Sequence, residues 1–131
     1  MNRGNLGKAS FAALNLSSAL TQVGSFAEAA SFLRRRLPEA KTAFGEGNHL
    51  TIMLCSSLGQ ALSREPGASP DQVREGVALH QETSRTAQRV LGGAHPTSKQ
   101  LVASIEAGQQ ILAGVVVFAP TSGLLSYSRR G

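Results

Sequence analysis

Three histidines and one cysteine, His49, His80, His95 and Cys55, are the side chains here with metal-ligating or thiol chemistry. A metal site needs its ligands at one point, and on a helix that means a spacing of i+3 or i+4. No pair among the four has it. A single cysteine forms neither an internal disulfide nor a cysteine-based zinc site. Cys55 falls on the apolar side of a helical pattern and reads as a small core residue. His49 and His95 stand at two similar breaks in the pattern, expected about one helix-pair spacing apart, and read as helix-boundary residues. Serines are abundant, but none sits in a Gly-x-Ser-x-Gly elbow. The few acids form no pair suited to proton transfer, and no glycine-rich loop could cradle a phosphate. The expectation is a protein without catalysis, cofactor or bound metal.

The bulk composition agrees with a folded chain. Apolar residues make up 41% and charged residues 16% of 131 residues. That is too much apolar surface for disorder and enough chain for one domain. Thirteen Lys and Arg against eight Asp and Glu give +5, with Arg34, Arg35 and Arg36 in one run and Arg129 and Arg130 near the end. Such an excess permits loose attraction to nucleic acid or anionic lipid, yet it reads first as charge on solvated helix faces. No apolar stretch approaches the roughly 18 residues that span a bilayer. With a single cysteine and no such stretch, a cytosolic or nuclear location is expected, the cytoplasm first.

The elements that position these residues repeat. Residues 44–51 (FGEGNHLT) resemble residues 91–98 (LGGAHPTS), an offset of 47 residues from Phe44 to Leu91. Each is a glycine-containing break between helical patterns, and periods of this size belong to two-helix repeats. Before Gly24, the residues Ala13, Leu16, Leu20 and Val23 form a short apolar stripe. After it, Phe26, Ala29, Ala30, Leu33, Leu37, Ala40 and Phe44 hold one stripe for five turns. Pro38 interrupts that stripe at a cost of about 3 kcal/mol, which predicts a kink and not a stop. Leu54, Leu58, Ala61 and Leu62 mark a third helix. Ser69 and Pro70 are the cap and first residue of a fourth that runs to Leu91. A fifth starts near Pro96, with Leu101, Ile105, Gly108 and Leu112 on one face. No segment alternates long enough to predict a strand, so the fold is all-α.

Residues 14–45 (LNLSSALTQVGSFAEAASFLRRRLPEAKTAFG) resemble the tetratricopeptide repeat of kinesin light chains and their relatives. Gly24, Phe26, Glu28, Ala29, Leu33, Arg34, Arg35, Leu37 and Gly45 carry the likeness, and residues 91–96 (LGGAHP) carry it again. It covers residues 9–112. Three departures stand out: Asn48-His49 replaces the usual His-Pro, residues 65–69 lengthen the second hairpin, and His80 and Ser84 stand where the first hairpin has Leu33 and Leu37. An acid-free, transit-peptide-like stretch over residues 1–27 is thereby reread as the first helix of a repeat.

The resemblance implies a right-handed stack of antiparallel helix hairpins over residues 1–112, an α-solenoid of about two and a half repeats. Residues 113–131 would form a tail that extends the last helix and then becomes disordered, its apolar part (115–118) capping the open face. The first helix of each hairpin would line a concave groove holding an extended peptide. Carried over by position, the groove residues are Asn15 and Ser18, then Ser56, Gln60 and Ser63, then Gln100, Ser104 and Gln110. All are neutral hydrogen-bonding groups, suited to a peptide backbone and not to a charged terminus. The expected function is a protein–protein interaction scaffold. The alternatives are an arginine-based adaptor for nucleic acid or a membrane surface, and a degenerate fragment of a longer repeat protein that folds only beside other repeats.

Overall fold

The computed structural model describes residues 3–114, and the expectations for the tail from residue 115 lie outside them. Five helices follow one another: α1 (Arg3–Gln22), α2 (Phe26–Phe44), α3 (His49–Arg64), α4 (Pro70–Leu91) and α5 (Pro96–Leu112). No strand occurs among the described residues, and the fold is all-α. None of the helices is long and apolar enough to cross a membrane.

The helix ends follow from the breaks. Gly45 and Gly92, 47 residues apart, close α2 and α4 with φ of 83° and 91°. That left-handed region costs a residue with a Cβ about 1–2 kcal/mol. Each glycine N–H returns to a carbonyl four residues back, Lys41 or Gln88. The next helix then starts on a side-chain cap. Asn48 Oδ1 accepts the Leu50 N–H at 2.8 Å, and His95 Nδ1 accepts the Thr97 N–H at 3.1 Å. Asn48 thus does at the first boundary what His95 does at the second, so the missing His-Pro pair there leaves the helix start intact. Ser69 caps α4 through the Gln72 N–H at 3.1 Å, with Pro70 first in the helix. Pro38 lies inside α2, exposed, and the helix continues past it.

Each helix packs on its neighbours in sequence, and α3 also touches both α1 and α5. Between α2 and α4 no close backbone approach occurs, and the surface ion pair Arg34–Glu75 at 2.8 Å links them. Two apolar clusters result. Ala29, Ala30, Leu33 and Leu37 of α2 meet Ala13 of α1 and Leu54, Leu58, Ala61 and Leu62 of α3. The smaller cluster joins Ile52, Ala87 and Leu101, with Leu91 packed against it.

The α1 stripe differs from expectation. Leu16 and Val23 are exposed, and the buried positions are Ser10, Ala13 and Ser17. Small residues at i, i+3 and i+7 let α2 sit close, and that spacing recurs in α3 as Ser56, Gly59 and Ser63, all buried. In the second hairpin the approach is closer still. A Cβ on Gly59 would overlap the ring of His80, and one on Gly76 would overlap the Ser63 hydroxyl. As α4 is followed forward, from Gln72 through Gly76 to His80, its partners on α3 run backward, from Leu62 and Ser63 through Gly59 to Ser56. The two helices are therefore antiparallel. His80 stands at the position matching Leu33, and Gly59 opposite makes the space for its ring.

Candidate functional site

Solvent-facing residues on α3 form one strip: Met53, Ser57, Gln60 and Arg64, at i, i+4, i+7 and i+11. That spacing keeps them on a single helix face. Moving forward by the 47-residue offset places Gln100, Ser104, Ala107 and Ile111 on α5 in the same positions. Moving back by 46 residues, the offset that matches buried Ser10 to buried Ser56, places Gly7, Phe11, Leu14 and Ser18 on α1. Phe11 is 59% exposed and Ile111 42% exposed, while Met53 is half-buried.

Of the eight groove residues expected from the sequence, Ser18, Gln60, Gln100 and Ser104 fall on this strip. Ser56 and Ser63 do not. Both are buried, because α4 lies across them: the Ser56 carbonyl accepts from His80 Nε2 at 3.2 Å, and the Ser63 hydroxyl lies against Gly76. Asn15 and Gln110 are exposed but lie on other flanks of their helices. Sequence reasoning also missed Phe11, Met53, Ser57 and Ile111. The helical period alone sets both Ser56 and Ser57 beside Gln60, and it is α4 lying across Ser56 that leaves Ser57 on the open strip.

Both ends of the α3 strip are marked. At its start, the rings of His49 and His95 meet edge to face with centroids 5.8 Å apart, and the Thr97 hydroxyl approaches the Met53 sulfur at 3.8 Å. The two histidines are thus in direct contact, nearer than one helix-pair spacing. At its end, the Arg64 guanidinium lies 5.7 Å from the Phe26 ring, within cation–π range. Among the described residues no group of three or more His, Cys, Asp or Glu could hold a metal ion.

The remaining chemistry-bearing groups are interior. Cys55 is a buried free thiol beside a cleft of about 20 Å³, room for about one water. Burial pushes its pKa up, against the partial opposing pull of Lys41, so the reactive thiolate is disfavoured. His80 is 1% exposed, and burial holds its pKa below the ordinary value despite the bond to the Ser56 carbonyl. Nε2 donates that bond in the neutral ring, which leaves Nδ1 buried without a partner. Within the arginine run, Arg34 pairs with Glu75 and Arg36 with Glu39, and both Arg35 and Arg36 approach the Phe32 ring.

No protein-family model, curated protein or solved structure matches this chain.

Proposed function

We propose that the chain is a tetratricopeptide-type α-solenoid, a right-handed stack of about two and a half helix hairpins, serving as a non-catalytic scaffold for other proteins in the cytoplasm. The observation that carries this reading is the unequal packing of the two helix layers. The odd-numbered helices touch one another in order, whereas α2 and α4 make no close backbone approach. A stack packed more tightly on one side curves toward that side, which makes the α1, α3 and α5 layer the concave one.

Along that layer Ser18, Ser57, Gln60, Gln100 and Ser104 offer donors and acceptors to a peptide main chain. Phe11, Met53 and Ile111 offer apolar anchors between them. The arginine alternative is weakened because Arg34 and Arg36 already have carboxylate partners.

Screening the full chain against an immobilised library of extended peptides tests the proposal. Gln60→Glu together with Ser104→Glu should weaken the selected peptides by about tenfold or more, equivalent to ~1.4 kcal/mol, with the thermal melt unchanged. Binding that ignores these substitutions but vanishes in moderate salt would instead support an arginine-based adaptor.

A further inference from the structure

The first hairpin carries a face that no described residue covers, and the repeat register identifies it. On α4, Glu75 pairs with Arg34 of α2, and Leu79 packs on the cluster that α2 and α3 share and lines the Cys55 cleft together with Lys41 of α2. Glu82 shares the Cys55 cleft with Lys41 of α2. The matching positions 47 residues earlier are Glu28, Phe32 and Arg35. In the first hairpin no helix precedes them among the described residues. With Leu16 and Leu20 of α1 they line an open groove in which Leu16 is 46% exposed and Leu20 and Phe32 are half-buried.

The other end of the fold is finished differently. On α3, α4 covers Gly59 and Ser63, and Ile52 packs with Ala87 of α4. The matching residues on α5 are Lys99, Glu106 and Gln110, all exposed and polar. Val102 and Ala103 are exposed on that last face as well, so it is mixed, with charges set among its apolar atoms, whereas the first face gathers Leu16, Leu20 and Phe32 into one groove.

We propose that two copies of this chain pair head to head through the first hairpin, Leu16, Leu20 and Phe32 of each packing against the same residues of the other. The charges favour a second copy. Glu28 and Arg35 lie two turns apart on one face of α2, about 10 Å, with Phe32 between them. Neither has an ion-pair partner among the described residues. A twofold axis near Phe32 sets Glu28 of one copy against Arg35 of the other, twice per dimer. Head-to-tail growth is disfavoured, because it would press the apolar groove onto Lys99 and Glu106. The pairing is therefore closed and isologous. Two helices about 30 Å long and 10 Å wide offer a footprint on the order of 600 Å² per copy, near the lower limit of a stable interface, so association in the micromolar range is expected.

Sedimentation of the full chain across micromolar concentrations tests this. The expected result is a reversible dimer that Glu28→Arg and Arg35→Glu each abolish, and that returns when the two variants are mixed. In the mixture both contacts again join opposite charges. Circular dichroism of each variant checks that these exposed substitutions leave the helices intact. A wild-type chain that stays monomeric overturns the proposal, including the case in which removing residues 115–131 lets it pair, which would mean the tail occupies the groove. A dimer indifferent to both single variants, or one that mixing does not restore, overturns it equally.

Discussion

The imidazole of His80 occupies the space that a Cβ on Gly59 would need. Its Nε2 is tied to the Ser56 carbonyl one turn earlier on α3 at 3.2 Å, so the ring cannot swing aside without giving up that bond. Gly59→Ala therefore forces the α3 and α4 backbones apart. A loss of about 1–3 kcal/mol is expected from overpacking of this kind. Combining it with His80→Ala should cost less than the two single losses together. A double-mutant cycle from denaturant melts measures that coupling, and strict additivity would contradict the contact.

His80 also sets a pH dependence. Burial lowers its folded-state pKa below the ordinary 6.5 that the unfolded chain retains. As pH falls through 6.5, the unfolded chain takes up the proton and the folded chain does not. Stability is thus full above that value and declines below it, levelling off once the folded-state pKa is passed. The melting temperature should drop on acidification before any carboxylate titrates. His80→Leu, which restores the residue type of Leu33, should flatten this part of the profile. A wild-type profile flat between neutral pH and the carboxylate range would refute the assignment.

Gly92 at φ 91° accommodates a Cβ only with backbone strain, although nothing lies within 4 Å of where that Cβ would be. Gly92→Ala should cost about 1–2 kcal/mol through conformation alone. Gly93 has an equally open Cβ position and no positive φ, so Gly93→Ala should change stability far less. Comparing the two by thermal melt separates backbone strain from crowding, and equal losses would count against the cap geometry.

The Arg34–Glu75 pair is half-exposed on both sides. Arg34 holds the Glu75 carboxyl below its ordinary pKa through their hydrogen bond, but water and salt screen such a pair. Glu75→Gln is expected to cost less than about 1 kcal/mol, and the difference from wild type should shrink further in high salt. Chemical denaturation with urea at two ionic strengths is the measurement.

All five helices, the glycine breaks and the Ser69 cap were legible in the sequence because each is a local signal: a period, a φ requirement, a capping side chain. Which face of a helix meets which neighbour was harder to read. Leu16 looks like a core residue in α1, yet Ser10, Ala13 and Ser17 take the interior, because close helix approach selects small side chains over large ones. The same rule buried Ser56 and Ser63 where hydroxyls suggested a solvent-facing groove. The contact between His49 and His95 was invisible for another reason: it joins the starts of two helices, α3 and α5, that are far apart in the sequence.

The seam between α2 and α4 has a mechanical consequence. An exposed ion pair links those helices without any close backbone approach, whereas α3 approaches both α1 and α5 at the backbone. Bending that widens the seam stretches side-chain contacts alone, and bending that parts α3 from α1 or α5 separates backbones that touch. The molecule is consequently more compliant in one direction than in the other, and the place where it yields is the pair Arg34 and Glu75.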